Sequence, residues 1–221
     1  MTGTGHPDRR KTARRSTRNR PTDTELLDAA CAVIAEVGVD RATMDAIAQR
    51  ADTSRMTLYA HFGSRDALVD AVIERELAAL TTWMFEIYDR GETMQYGQRA
   101  IYSVESLFDY ARRNPEGFRV LLDNRYDDTH PGRRLSAALE PRIAERLRAN
   151  YAERGTPIHG GAETLATMLL GISLDIAYRA VIVAGADIGA ASDLAVTASL
   201  AVLRAVEPEQ LRAIDTSLHT P

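Results

Sequence analysis

Four side chains that can donate hydrogen bonds to phosphate oxygens or base edges lie within one short stretch of the chain. They are Arg55, Thr57, Tyr59 and His61. A guanidinium can pair with two acceptors on one guanine edge, whereas hydroxyl groups more often bind phosphate oxygens. This chemistry requires a helix that presents the four groups outward and buries Leu58 and Phe62. The stretch is therefore a candidate nucleic-acid contact, provided that neighbouring elements hold it as a helix.

Two short helices are predicted to precede this stretch. Thr22 and Glu25 have the spacing of a capping box, which favours a helix start at Thr22. The apolar residues of the first helix then share one face: Leu26, Ala29, Ala30, Val33 and Ile34. Gly38 suits its end. Thr43 can cap a second helix, whose apolar residues again form one stripe: Met44, Ile47, Ala48 and Ala51.

The connection between the second and third helices is only a few residues long. Asp52 occupies the turn, and Thr53 or Ser54 caps the third helix. Gly63 ends that helix and Ser64 caps the next one. Three short helices within about forty residues, with a tight turn between the last two, are typical of a helix-turn-helix unit.

The remainder of the chain is predicted to be helical. Glycines and prolines divide it into helices near 65–90, 93–113, 116–124, 133–154, 162–184 and 190–206. No stretch alternates with the period of two that a strand requires. We therefore expect an all-α protein with three parts: a disordered basic arm at 1–20, a three-helix helix-turn-helix domain at 21–66, and a larger helical domain at 67–221.

Charge is divided unevenly along the chain. Residues 1–20 hold seven basic side chains and one acidic one, a net charge of +6, whereas the rest of the chain carries −10. A basic segment on an acidic body favours a local contact with nucleic acid, and a solubilising tail is the alternative.

Cysteine use and hydropathy bear on the compartment. Cys31 is the only cysteine, so no disulfide can form within the chain, which favours a reducing cytoplasm. The basic N-terminal stretch has no apolar segment and does not look like a secretory signal. The longest apolar stretch, 165–184, contains Asp175 and Arg179, so no membrane span is expected.

The segment 22–68 resembles the N-terminal domain of the TetR family of transcriptional regulators. The strongest likeness lies in 53–68, where a helix ends in Leu-Tyr-x-His-Phe and is followed by a turn, a basic residue, an acidic residue, any residue and Leu. Two positions depart from the family pattern. Asp52 stands where Gly is usual, and Arg65 stands where Lys is usual. Asp tolerates the left-handed region and Arg keeps the charge, so the likeness is preserved.

This resemblance implies a head that binds double-stranded DNA. The residues expected at the DNA are Thr43, Ser54, Arg55, Thr57, Tyr59, His61 and Arg65. Arg55 is expected to read a guanine edge in the major groove. Phosphate contacts are expected from Tyr59, His61 and Arg65, and Thr43 would offer a helix N-terminus to a phosphate. An exposed polar face without a partner is the alternative.

The resemblance also implies a small-molecule effector site in the second domain. The residues that could form it are Trp83, Tyr88, Glu105, Phe108, Phe118, Met168, Ile172 and Asp175. For each aromatic side chain, an ordinary core position is the alternative. Glu105 is of interest because its carboxylate falls within an apolar stripe. Asp175 and Arg179 have i, i+4 spacing, so they could pair with each other, face a ligand or face a dimer partner.

A homodimer is the third implication of the resemblance, through the helices near 162–184 and 190–206. Between Leu194 and Val206 the apolar run is interrupted only by Thr197, Ser199 and Arg204. Such a helix must be buried on most sides. Burial within one chain would satisfy it, but a palindromic operator requires a two-fold symmetric protein, which favours the dimer.

We therefore predict a ligand-responsive transcriptional regulator that acts as a repressor. It is expected to bind a palindromic operator as a homodimer and to be released by a small apolar or aromatic effector. The alternative is a helical small-molecule-binding or scaffolding protein whose DNA-binding head is vestigial. No nucleotide-binding glycine loop occurs, and no enzyme activity, cofactor or metal site is predicted. A cluster in a predicted loop is assigned to solvent rather than to a cation: Asp123, Asp127, Asp128 and His130.

The arm yields a prediction that salt dependence can test. If each arm neutralises about two phosphates, a dimer makes about four such contacts, and deleting the arm should flatten the slope of log affinity against log salt by roughly 3–4 units. Base preference should stay the same because the recognition helix is untouched. The measurement is operator affinity at several salt concentrations for the full chain and for a chain that begins at Pro21. Equal slopes would leave the arm as a solubilising tail.

Overall fold

The computed structural model describes residues 21–123, 131–183 and 186–217. Within those ranges the backbone forms ten α-helices and a short 3-10 turn at Val39–Arg41, with no strand. The helices are α1 (Asp23–Val37), α2 (Met44–Arg50), α3 (Arg55–Phe62), α4 (Arg65–Arg90), α5 (Tyr96–Arg113), α6 (Pro115–Leu122), α7 (Pro131–Glu153), α8 (Gly161–Ile182), α9 (Ile188–Ala205) and α10 (Pro208–Ser217). The all-α prediction is confirmed. The predicted arm at 1–20, together with Asp127, Asp128 and His130, lies outside the described residues.

The helix starts of the head follow the predicted caps. Thr22 accepts from the Glu25 N–H while the Glu25 carboxylate accepts from the Thr22 N–H, which completes the capping box. Thr43 caps α2, and Ser54 rather than Thr53 caps α3. Asp52, in the turn between them, has a φ of 47°. The sequence therefore specified the turn of the helix-turn-helix unit correctly, including its left-handed residue.

Three prolines begin helices instead of separating them. Pro115, Pro131 and Pro208 are the first residues of α6, α7 and α10. The first helical position needs no backbone donor and suits the fixed φ of proline. From the sequence, Pro208 was predicted to end the helical structure, so α10 was missed. The predicted start of α5 was three residues too early, because 91–94 form turns and a bend before the N-cap Gln95.

Two main hydrophobic cores share α6. The head core, formed by α1 to α3 and the start of α4, includes Val120 of α6. The core of the larger domain includes Phe118, Leu121 and Leu122, from the other side of the same helix. The helix α4 also belongs to both cores, since Leu68 packs in the head and Met84 packs in the larger domain. The predicted boundary at residues 66 and 67 therefore falls inside α4.

Two helices meet a length and hydropathy criterion for a membrane span, although the sequence pattern predicted no such span. The mean hydropathy of their most apolar window is 1.6 for α8 and 1.4 for α9, so by length and hydropathy alone each could cross a membrane. Interior helices of globular proteins meet the same criterion, so this is weak evidence. Only 17% of the apolar window of α9 is buried within the described chain, against 39% for α8. The helix α9 therefore presents an apolar surface that a single chain does not cover.

Gly117 provides a stability test of the junction. The side chain of Glu76 lies against this glycine, and a Cβ at position 117 would overlap the Glu76 carboxylate. Gly117→Ala should therefore destabilise the protein by about 1–3 kcal/mol, despite the better helix propensity of alanine. The measurement is urea unfolding.

Gly97→Ala is the matched control, because a Cβ at that helical position meets nothing within 4 Å. It should be neutral or should stabilise by up to about 1 kcal/mol. Equal effects of the two substitutions would contradict the close packing of Glu76 on α6.

Candidate nucleic-acid interface and effector cavity

The helix α3 is held in the head by one buried side chain and presents the rest of its surface to solvent. Leu58 is fully buried in the head core, and Phe62 packs against it from a half-buried position. Exposed positions of α3 belong to Arg55, Met56 and Tyr59. Leu58 thus points inward and Arg55 and Tyr59 point outward as expected, whereas Thr57 and His61 are half-buried.

Arg55 is exposed and paired with the helix before it. Its Nε lies 3.0 Å from Asp45 Oδ1, and its Nη1 donates to Asp45 Oδ2 at 3.2 Å. Both side chains are largely exposed, and such pairs contribute only about 0–1 kcal/mol. A guanine edge could therefore replace Asp45 as the partner of Arg55 at little cost. The pairing with Asp45 was not predicted from the sequence.

The predicted hydroxyl groups divide into capping and free groups. The Ser54 and Thr57 hydroxyls lie 3.0 Å apart, and Ser54 also accepts from the Thr57 N–H at 3.1 Å. Thr43 accepts from the Ala46 N–H at 3.2 Å. Tyr59 is 45% exposed at the surface of α3. Ser54, Thr57 and Thr43 thus position helix ends, while Tyr59 is accessible to a phosphate.

Arg65 and His61 are both engaged inside the head. Arg65 donates from Nε to the Ala42 carbonyl at 2.7 Å and from Nη2 to the Val39 carbonyl, which ties the start of α4 to the 3-10 turn. His61 Nδ1 lies 2.5 Å from Asp23 Oδ1 on α1. The His61 side chain is only 18% exposed. Each residue therefore joins helices of the head, and the phosphate contacts expected of them stay predictions.

Met56 was missed by the sequence analysis. Its side chain is 76% exposed, the highest value among the exposed large apolar side chains of the described chain. It lies beside Arg55 on the outward surface of α3. An apolar side chain at a DNA-facing surface suits the methyl group of thymine. The sequence did contain a signal for the exposure of Met56, because a helical residue two positions before the buried Leu58 faces away from the core.

A cavity of about 110 Å³ lies between α4, α5, α7, α8 and α9. Its walls are mostly aliphatic and aromatic, and its polar groups come mainly from Tyr96, Arg99, Ser103, Arg146, Ser173 and Ser199. Of the residues predicted to form an effector site, only Tyr88 lines this cavity. Mostly apolar walls with a few polar groups are typical of small-molecule sites.

Several predicted effector residues have other positions. Phe108 and Phe118 are buried in the core. Trp83 packs on that core, with its Nε1 donating to the Ser106 carbonyl at 3.1 Å. Met168 is exposed, and Ile172 is half-buried. Three of the four aromatic candidates, Trp83, Phe108 and Phe118, therefore have the ordinary core position that was the alternative to a ligand contact.

The charged candidates are also placed outside the cavity lining. Glu105 is exposed, because the buried stripe of α5 runs through Val104, Leu107, Phe108 and Ala111. The placement of Glu105 within an apolar stripe was therefore wrong, because the buried stripe of α5 passes beside it. Asp175 is half-buried and Arg179 is exposed, and neither lines the cavity.

Cys31 lies on α1 and is buried in the head core. Burial, reinforced by the Glu76 carboxylate, raises the pKa of its thiol to about 12. The thiolate is the reactive form, so this cysteine is inert near neutral pH.

Comparison with known proteins supports this description. Residues 26–72 match the family described as bacterial regulatory proteins, tetR family. The chain is 34% identical over 102 residues to the HTH-type transcriptional activator FasR of Mycolicibacterium smegmatis, a match that covers 46% of each protein. It is 32% identical over 123 residues to the HTH-type transcriptional regulator UidR of Escherichia coli K12, covering 50% of this chain and 61% of that protein. The head of the chain, over residues 26–72, therefore matches the DNA-binding segment that defines the TetR family. These matches span about half of each curated relative.

Solved TetR-family structures share the fold over most of the chain. A TetR-like regulator from Rhodococcus sp. RHA1 has a TM-score of 0.68 at 23% identity, covering 85% of this chain and all of that one. FadR from Bacillus subtilis, solved in complex with stearoyl-CoA, has a TM-score of 0.66 at 15% identity, covering 84% of this chain and all of that one. At these identities the likeness concerns the fold. The arrangement of a helix-turn-helix head and a larger helical domain is therefore the fold that these solved structures share.

Proposed function

We propose that this TetR-family protein is a homodimeric regulator that binds a two-fold symmetric operator through α3 and releases it when an effector occupies the cavity. The observation that carries the proposal is the exposed surface of α3, where Arg55, Met56 and Tyr59 lie beside one another above the buried Leu58. That surface has both a base-reading cation and an apolar group suited to thymine methyls. The division into a DNA-binding head and an effector-binding and dimerising domain is part of the proposal.

The proposed sign of regulation is repression: the protein represses while it is bound to the operator, and the effector releases it. Names of similar proteins point both ways: FasR is called an activator, and SmeT of Stenotrophomonas maltophilia is described as the repressor of a multidrug efflux pump. An effector changes operator affinity only if it binds one arrangement of the two heads better than the other. Weaker operator binding in the presence of the effector is the outcome expected of a repressor.

The helix α4 supports coupling between cavity and head. It is one uninterrupted helix of 26 residues, about 39 Å long. Near its start, Arg65 donates to carbonyls of the 3-10 turn in the head. Near its end, Met84 and Tyr88 line the cavity. A shift at the cavity end of a rigid helix would therefore reorient the head.

The outer surfaces of α8 and α9 support the dimer. Apart from Met56 and Tyr59 on α3, the exposed large apolar residues of the described chain lie on or next to these two helices: Met168, Val183 and Leu194. Leu194 is 60% exposed, and Ala201, two turns further along α9, is exposed as well. An apolar surface of this kind marks an interface, and an isologous pairing of α8 and α9 would cover it.

Arg55 gives the direct test of operator reading. An operator is first selected from random duplex DNA with the full chain. Arg55→Ala should then weaken binding to this operator by roughly 1–3 kcal/mol and should change binding to unrelated DNA little. Equal losses on both DNAs would make Arg55 a phosphate contact. Absence of any selected sequence would support the alternative of a vestigial head.

Arg112→Ala is the matched control, because Arg112 is an exposed, ion-paired arginine on α5, outside the head. It should leave both affinities unchanged.

Met56→Ala can be compared on the operator with thymine and with uracil. If Met56 contacts a thymine methyl, the uracil operator should bind both proteins alike.

The dimer is tested by charge placed on α9. Leu194→Glu and Ala201→Glu should each dissociate the dimer, because a packed apolar interface would bury an unpaired carboxylate at a cost of several kcal/mol. Both positions are exposed within one chain, so each monomer should still fold. Analytical ultracentrifugation gives the mass, with Ala149→Glu on the exposed surface of α7 as control. If both α9 variants remain dimeric, the interface lies elsewhere.

A further inference from the structure

Three buried hydrogen-bonding groups on the cavity wall have no partner within the described chain. They are Arg146 Nη1, Tyr96 Oη and Ser199 Oγ, from α7, α5 and α9. A buried polar group without a partner is unfavourable, and an unpaired guanidinium N–H is especially so. All three groups can donate a hydrogen bond. The cavity wall therefore contains three donors without an acceptor in the described chain, which calls for an acceptor.

The electrostatics of the wall favour a negatively charged acceptor. None of the sixteen residues that line the cavity is an aspartate or a glutamate, whereas Arg99 and Arg146 both line it. Within the described chain, neither arginine forms an ion pair with a carboxylate. Arg99 donates to the carbonyls of Gly91, Glu92 and Met94, and Arg146 Nη2 donates to the Tyr88 carbonyl. Two guanidinium charges thus face an apolar space without an anion.

Titration shifts agree with this geometry. Burial, and then the neighbouring Arg99 and Arg142, lower the pKa of Arg146, and the more weakly acting Glu92 and Asp89 oppose this shift without cancelling it. Burial raises the pKa of Tyr96, so its hydroxyl stays protonated as a donor near neutral pH. An anion bound between these groups would favour the charged form of Arg146 and would accept a hydrogen bond from the Tyr96 hydroxyl.

We propose that the effector is a compact amphiphilic carboxylic acid, whose carboxylate binds Arg146, Tyr96 and Ser199 and whose apolar body fills the space lined by Leu107, Leu147 and Leu170. This inference deepens the proposed function, because it takes the cavity to be the effector site. The volume of about 110 Å³ limits the size of the body. An engineered apolar cavity of about 150 Å³ holds benzene, so a phenyl ring or a short alkyl chain is near the upper limit here.

The test compares acids with their neutral amides. Phenylacetate and hexanoate are titrated calorimetrically into the full chain, alongside phenylacetamide and hexanamide, which have nearly the same shape without the charge. At least one acid should bind ten-fold or more tightly than its amide. Arg146→Gln should remove that preference by weakening the acid ten-fold or more, with little effect on the amide, and Arg146→Lys should restore part of it.

Arg148→Gln is the matched control. Arg148 lies on the same helix, pairs with Glu163 and does not line the cavity, so the acid should keep its affinity. If neither acid binds better than its amide, the proposal is wrong. If Arg146→Gln weakens acid and amide equally, Arg146 only shapes the cavity, and the proposal is wrong again.

Operator binding separates this inference from the proposed function. An acid that depends on Arg146 and weakens operator binding supports both. An acid that depends on Arg146 but leaves operator affinity unchanged supports the anion site and contradicts the effector role. Release of the operator by a neutral compound, with no acid preference, supports the effector role and contradicts the anion site.

Discussion

The packing of α6 between two hydrophobic cores determines how the head is joined to the rest of the protein. Val120 is buried with the residues of the head, while Phe118, Leu121 and Leu122 are buried with those of the larger domain. A helix of eight residues has only two turns, so both cores contact it at nearly the same level. Any movement of α6 must therefore alter the packing of both cores, because protein interiors leave little free space.

An ion network that runs from the buried Glu76 to the exposed Asp28 fixes the position of this helix. The Glu76 carboxylate rests on Gly117 of α6 and accepts from Arg75 at 2.8 and 2.6 Å, and Arg75 also donates to Asp28 of α1 at 2.7 Å. Buried pairs of this kind add little net stability, since desolvation offsets the attraction. Their geometry is demanding, however, and it selects one arrangement of α1, α4 and α6. Glycine at 117 is required because a side chain would occupy the place of the carboxylate.

The sequence predicted features governed by local rules and missed those that depend on tertiary packing. The caps at Thr22, Thr43 and Ser64 depend on residues within one turn, so pattern alone identified them. Glu105 was misplaced on the buried side of α5 because Glu105 and Leu107 could each continue the apolar stripe, and only packing against other helices decides between them. Arg146 could not be found at all, since its significance lies in a carbonyl of α4 and in a cavity formed by five helices.

The same arginine links the cavity to the helix that reaches the head. Arg146 Nη2 donates to the Tyr88 carbonyl, in the last turn of α4, while Arg65 in the first turn of α4 donates to the Ala42 carbonyl beside α2. A charge that binds the free Nη1 must pull on the guanidinium that also holds the end of α4. In the proposed coupling, a displacement at Tyr88 would be transmitted along the continuous α4 to Arg65 instead of being absorbed by a loop. Binding energy at the cavity would then favour one orientation of the head over another, which is the differential affinity that the proposed coupling to DNA requires.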